Sequence, residues 1–237
     1  MKKLYLSLIA VVICAIIFSS TSFLYYFDNV NSINTNAPQY IPIIIIDAGH
    51  GGFDGGAVAD DGTVEKDINL KISLYLQEYL ELSGLNTIMT RYDDVSLEDE
   101  GLNTIRKKKT SDIHNRLKLM EETDNAIFIS IHQNKYPQEK YSGLQVFYSP
   151  NNSEQSSLLA RNIQENVVEL LQPENERQIK ECGTSVYLIY NAVKPAVLVE
   201  CGFLSNYNEA QLLKTEQYQR KIAFCIATGI QDYIYKG

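Results

Sequence analysis

The sequence is short of positive charge, of histidine and of paired cysteines, and each shortage removes a class of function. Lysine and arginine number 21 against 29 acids, a net charge of -8. A nucleic-acid partner demands the opposite balance, because phosphates are neutralised by a Lys/Arg surplus. The one basic run, Arg106-Lys107-Lys108-Lys109, makes no stripe, so nucleic acid is excluded as the main partner. The 4 cysteines include no CxxC pair, which removes a cysteine zinc site and a dense disulfide framework. Cys14 lies in an apolar N-terminal run, Cys225 reads as core, and a Cys182–Cys201 bridge is left open. No G-x-G-x-x-G or GK[ST] phosphate loop, internal repeat or low-complexity tract occurs. With 3 histidines in the chain, any imidazole chemistry rests on His50, His114 or His132.

What is present divides into three parts. Residues 1–27 read as a membrane anchor or signal segment: Met1-Lys2-Lys3 supplies the positive end, and Leu4 to Phe18 is an almost unbroken apolar run. Extended through Phe23-Leu24-Tyr25-Tyr26-Phe27 it is long enough to span a bilayer, with aromatics at the far interface. No small-x-small cleavage site follows, so an uncleaved anchor is expected over a cleaved signal. Ile13 is too bulky for lipoprotein processing at Cys14. Lysines before the segment and none close after it put the rest outside the cytoplasm. Residues 28–40, rich in Asn and Ser, read as a flexible stalk. Residues 41–237 are expected to form one domain with a full core.

Within that domain, strands alternate with helices, which implies an α/β sheet covered on both faces. Strands are expected at Ile41–Ile46, Leu85–Thr90, Ala126–Ile131, Leu144–Tyr148, Ser185–Ile189 and Ala196–Val199. Glu65–Leu82 has apolar residues at Ile68, Ile72, Leu76 and Leu80, a helical period, with Gly84 past its end. Further helices fit Arg116–Glu122, Ser153–Leu171, Asn208–Leu213 and Glu216–Tyr233, and Asp93–Asn115 reads as a long polar loop.

Three apolar strands end in chemistry. Ile43-Ile44-Ile45-Ile46 leads into Asp47-Ala48-Gly49-His50-Gly51-Gly52, Ile127 to Ile131 leads to His132, and Ala196 to Val199 leads to Glu200. A buried parallel strand ends this way at a catalytic edge. Glu65 opens the helix after the first strand, and two histidines with a carboxylate are the ligand set of many hydrolytic zinc sites. His50, Glu65 and His132 are therefore the expected metal ligands. Glu200, costly to bury unless used, is the expected general base. Each residue also has a bland reading. His50 caps a strand; Glu65 is a first-turn charge with Thr63 as N-cap; His132 is core; Glu200 is half of an ion pair. Asp47 and Asn134 are candidates to orient the histidines, or equally to cap their own loops. His114 reads as a surface residue, and Cys201 lacks a histidine to activate it as a nucleophile.

Taken together, Asp47-Ala48-Gly49-His50-Gly51-Gly52, Glu65-Lys66, Ser130-Ile131-His132-x-Asn134 and the run from Pro195 to Asn206 resemble the zinc-dependent N-acetylmuramoyl-L-alanine amidases, in family order and over roughly Ile43 to Tyr233. The resemblance implies a single domain with a mixed, mostly parallel six-stranded sheet, Zn2+ on His50, Glu65 and His132, and Glu200 as catalytic base. It implies cleavage of the amide between N-acetylmuramic acid and L-alanine of the peptidoglycan stem peptide. A lone domain behind an anchor, with no wall-binding repeats, is similar to the subgroup acting in spore cortex maturation through muramic-lactam formation. That subgroup works on the cell-wall side of the membrane, including the space between forespore and mother cell. The resemblance also raises an activating protein, a lipoprotein in clostridial cases, as a partner. Arg91 and Arg116 match family positions and are expected to anchor loops. Gln133 departs from the family, which carries a small residue there; the pocket wall and metal affinity are the properties it bears on. The residues alone leave open another zinc hydrolase, a peptidase or sugar deacetylase, and a non-catalytic wall-binding or adaptor domain.

Overall fold

A computed structural model describes residues 41–236. The expected anchor over 1–27 and stalk over 28–40 lie outside the described residues. Among the described residues no helix is long and apolar enough to cross a membrane.

The chain forms β1 (Ile43–Ala48), α1 (Glu65–Leu82), β2 (Thr87–Met89), α2 (Ile105–Glu122), β3 (Ala126–Asn134), β4 (Gln145–Tyr148), α3 (Ser153–Leu170), β5 (Lys180–Glu181), α4 (Tyr187–Tyr190), β6 (Ala196–Phe203), α5 (Tyr207–Leu213) and α6 (Glu216–Lys236). The six strands make one mixed sheet in the order β2-β1-β3-β6-β4-β5. Pairs β1/β2, β1/β3 and β3/β6 are parallel, β4 runs antiparallel to β6, and β5 is parallel to β4. The expected six-stranded, mostly parallel α/β fold is the observed one.

The central strands are apolar without alternation because both faces are covered. Ile44 and Ile46 of β1 point to one face and pack with Ile68, Ile72, Leu76 and Leu80 of α1 and with residues of α3 and α6. Ile45 points to the other face and shares a cluster with Phe128, Met120 of α2 and Ile189 of α4. The four α1 residues recur every fourth position and are fully or almost fully buried. Each contributes about 1.5–3 kcal/mol of burial, enough to fix the helix against the sheet.

Two expected elements differ. The polar stretch Asp93–Asn115 is not all loop: its last part, from Ile105, belongs to the eighteen-residue α2, whose N-cap Thr104 accepts a hydrogen bond from Lys107 N. This helix buries only Arg116 and Met120, so its exposed faces carry no hydrophobic period. Ser185–Ile189 is not a strand. Its apolar residues form the short helix α4, while the edge strand is the exposed pair Lys180–Glu181. The N-cap of α1 is Val64 rather than Thr63, with no side-chain cap. Cys182 and Cys201 are free thiols in the clusters on opposite faces of the sheet, so no bridge joins them.

Candidate active site

The C-terminal ends of β1, β3 and β6 meet at one edge of the sheet, where ligand sites of open α/β folds lie. His50 follows β1, His132 is on β3, Glu200 is on β6, and Glu65 reaches the edge from the first turn of α1. His132 and Glu200 are direct neighbours in the β3/β6 register. His132 Nδ1 stands 2.9 Å and His50 Nε2 3.3 Å from Glu65 Oε1. One ligating atom from each of the three residues falls within 4.8 Å of the others. The imidazole rings are edge-to-face with centroids 4.8 Å apart.

The chain is bent hard to do this. His50 has φ 62, a left-handed conformation that non-glycine residues hold only where the surroundings over-determine it. Those surroundings are two buried arginines. Arg91 donates through Nε to the Ala48 carbonyl at 2.9 Å and through Nη2 to the Gly49 carbonyl at 3.2 Å. Arg116 donates through Nη1 to Ala48 O at 3.0 Å and through Nη2 to His50 O at 2.9 Å. Three consecutive carbonyls are thus clamped, as loop-anchoring arginines require. Two glycines leave room for the cluster itself: a Cβ on Gly49 would sit 2.2 Å from His132 Nε2, and one on Gly56 would sit 2.5 Å from Glu65 Oε2.

Supporting contacts surround His50 and Glu65. His50 Nδ1 lies 3.0 Å from Asp54 Oδ2, and Asp54 also pairs with Lys109 at 2.9 Å. Glu65 accepts from Ala57 N at 2.7 Å, Gln133 N at 3.0 Å and Asn69 Nδ2 at 3.3 Å. The Gln133 side chain, buried, donates to Asn69 Oδ1 at 3.1 Å. It therefore stands behind Glu65, in contact with the residue that helps hold that ligand. The expectation that Asp47 orients a histidine is not met. Its carboxylate is spent on Arg116, on Ser130 Oγ at 2.6 Å and on Thr90 Oγ1 at 2.9 Å. Asn134 likewise makes no hydrogen bond to either histidine; its carbonyl accepts from Leu204 N. The orienting group is Asp54, which sequence reading missed. Its signal was an acid four residues after His50 in a glycine loop. Asn69, missed too, lies one helical turn after Glu65.

The electrostatics suit a cation among these side chains. Burial opposes a charge on His50, yet Asp54 and Glu65 raise its pKa to about 9. Burial also works against Glu65, but hydrogen bonds from His132 and His50 hold its carboxyl well below the usual carboxylate range. A donor set of two imidazoles and a carboxylate that favours positive charge fits a dication as it fits protons. Glu200 behaves in the opposite way. Burial, with Glu65 adding and the histidines opposing, raises its pKa to about 7. Its Oε2 is shielded from solvent without a hydrogen-bond partner, so no ion pair accounts for it. His114 is apart from the cluster, exposed on α2 with its ring 5.5 Å from that of Tyr187. Cys201 is fully buried, and burial pushes its thiol far up.

A three-layer sheet domain with a His-Glu-His cluster and an isolated glutamate at its catalytic edge defines a hydrolase class with known members. The N-acetylmuramoyl-L-alanine amidase family profile matches residues 44–232, and the chain belongs to that family. It is 38% identical over 212 residues to the germination-specific N-acetylmuramoyl-L-alanine amidase of Bacillus subtilis, covering 89% of this chain and 88% of that one. It is 36% identical over 190 residues to the Bacillus subtilis protein YqiI, across 80% of this chain and 84% of that one. Among solved structures it resembles the CwlD amidase of Clostridioides difficile, solved in complex with the GerS lipoprotein. That similarity has TM-score 0.79, 43% identity, and coverage of 83% and 100% of the two chains. The AmiC2 amidase of Nostoc punctiforme matches with TM-score 0.69 at 26% identity, over 82% and 97%.

Proposed function

We propose that the chain hydrolyses the amide joining the lactyl group of N-acetylmuramic acid to L-alanine of the stem peptide, with zinc held by His50, Glu65 and His132 and with Glu200 as acid/base. The observation that carries the reading is the row His132–Glu200, which sets a solvent-shielded, unpartnered carboxylate oxygen beside three converging ligand side chains. Zinc bound by such a set polarises a carbonyl and makes water a stronger acid near neutral pH. Glu200 takes a proton from the attacking water and delivers it to the departing alanine nitrogen as the C–N bond breaks. The balance is one water consumed, one carboxylate and one protonated amine released. Glu65, tied to Ala57 N and Gln133 N, stays fixed and ionised while this proton moves. Arg91 and Arg116 hold the His50 loop against recoil.

The peptidoglycan amidase reading is supported by family membership and by the germination-specific and CwlD relatives. The same relatives favour it over a peptidase, a deacetylase or a non-catalytic adaptor. Its finer placement is our own inference: spore cortex, on the path to muramic lactam, with the domain on the cell-wall side of a membrane. The CwlD–GerS complex supports a lipoprotein as the kind of partner, and an activating role for it is part of the same inference. Residues 1–27 would supply the anchor. Membrane fractionation tests that point: full-length protein resists salt washing, whereas a shorter soluble form beginning near Asp28 identifies a cleaved signal instead.

Mass spectrometry of muropeptides tests the reaction itself. Incubating cortex or vegetative peptidoglycan with zinc-loaded protein is expected to release peptides beginning with L-alanine and to leave glycan strands whose N-acetylmuramic acid carries a free lactyl carboxyl. Cleavage inside the stem peptide, or loss of acetyl groups with the peptides retained, refutes the amidase assignment.

A further inference from the structure

The site row does not end at Glu200. Gln145 of β4 is the register neighbour of Glu200, so His132, Glu200 and Gln145 line up across three adjacent strands. Gln145 Oε1 accepts from Arg177 Nη1 at 3.1 Å, and Arg177 Nε donates to the Ser142 carbonyl at 2.7 Å. The guanidinium lies 4.5 Å from the ring centre of Phe203 and 5.8 Å from that of Tyr141. Tyr141 meets Tyr136 edge-on with centroids 5.2 Å apart. These side chains and Asn134 line a cavity of about 250 Å³ beside the catalytic edge.

Arg177 makes no direct contact with a carboxylate there. Among the described residues it enters no ion pair; both its side-chain acceptors are neutral, and Nη2 donates no hydrogen bond. Glu209 feels the Arg177 charge, which works against the burial that raises its pKa, but its two oxygens accept from Gly143 N at 2.8 Å and Phe203 N at 2.7 Å and it makes no ion pair with the guanidinium. A half-buried guanidinium oriented by two neutral acceptors, backed by aromatic faces and with a free nitrogen in a cavity, is complementary to a carboxylate.

We propose that Arg177 is a specificity-determining residue that receives a carboxylate from the peptide half of the substrate, above the aromatic floor of Phe203, Tyr141 and Tyr136. The proposal rests on the amidase reading above. The muramic acid side has already spent its lactyl carboxyl in the scissile amide, so the anion comes from the leaving peptide. Two strand spacings of about 4.8 Å separate His132 from Gln145. Extended peptide covers about 3.3–3.6 Å per residue. The carboxylate therefore belongs to the second or third residue, counting alanine as the first.

Synthetic N-acetylmuramoyl tripeptides test this, with the carboxylates of residues two and three present or individually converted to carboxamides. Zinc-loaded wild type is expected to lose about 10–100-fold in kcat/KM at one of the two conversions, the worth of a charge-assisted hydrogen bond. Glu200→Gln, titrated calorimetrically with the same compounds, is expected to show that ratio in Kd. Arg177→Gln should collapse the ratio towards one, and Arg177→Lys should restore part of it. An Arg177→Gln variant that slows every substrate by one factor and keeps the ratio marks a loop anchor and overturns the subsite. So does wild type that cleaves all substrates equally. Wild type that cleaves none of them, together with a Glu200→Gln variant that binds none of them, overturns the amidase reading itself, and the subsite with it.

Discussion

The two sides of the site are built on opposite plans. On the ligand side, almost every polar atom is committed. Three carbonyls from Ala48 to His50 are held by two arginines, His50 is backed by Asp54, and Glu65 accepts from two backbone amides and Asn69. On the base side, Glu200 Oε2 has no partner at all. The contrast suits the two roles proposed for these residues. A ligand must present one lone pair in one direction, so its remaining atoms are tied down. A base must trade a proton, and a partner that fixed its charge would stop it.

Several variants break or sharpen that contrast. The largest effect belongs to the ligands. His50→Ala or His132→Ala is expected to lose most of the zinc and with it all measurable hydrolysis; undiminished zinc in both, by elemental analysis, sinks the ligand assignment. Glu200→Gln comes next. Zinc stays near the wild-type level while hydrolysis falls by about 10²–10⁴-fold, the usual worth of a positioned acid/base. A folded, zinc-replete variant with wild-type turnover ends the base assignment, and joint loss of metal and activity makes Glu200 a ligand instead.

Arg116→Leu tests the clamp through stability. Breaking a buried pair costs about 3–5 kcal/mol. Burial opposes the charge of Asp47, yet Arg116 and Ser130 hold its carboxyl below the ordinary range. A depressed folded pKa contributes stability above the unfolded value and loses it as pH falls through the folded one. In Arg116→Leu that contribution is gone and Asp47 is buried unpaired. The gap in Tm between wild type and variant is therefore widest near pH 7 and narrows below about pH 4, where unfolded aspartate takes up its proton. A gap independent of pH, by scanning calorimetry, removes Asp47 from the explanation. The smallest effect is expected from Asp54→Asn, which keeps size and fold but weakens the group behind His50. Zinc affinity should fall about 10–100-fold, and competition with a chelator measures it. Unchanged affinity makes the Asp54 contact incidental.

Much of this was legible in the residues, for a physical reason. Ile43–Ile46, Ile127–Ile131 and Ala196–Val199 are buried on both faces, so their sequences are unbroken apolar runs and the polar residue that ends each run stands out. The α2 helix was half-hidden because it leans on the sheet through few side chains, and Ile105–Asn115 shows mostly solvent-facing lysine, threonine and aspartate. Val186–Ile189 is apolar and β-branched at two positions, a short run that periodicity cannot divide between strand and helix. Lys180–Glu181 carries no pattern, being two exposed residues on an edge. Asp54 and Asn69 were missed as partners because nothing in their local spacing says which lone pair they face. Asp47 was misassigned because its partner, Arg116, is 69 positions away.

The reversal of β4 in an otherwise mostly parallel sheet has its own consequence. Because β4 runs opposite to β6 and β5 follows β4, both strands begin at the edge where β1, β3 and β6 finish. The segments 135–144 and 171–179 therefore open directly onto the catalytic rim, and neither has to thread the core to get there. Each can lengthen or change composition at a cost that grows slowly with loop size, while the ligands stay on rigid elements. Substrate range in this architecture can drift by loop replacement alone, leaving the His50, Glu65, His132 and Glu200 constellation inherited intact.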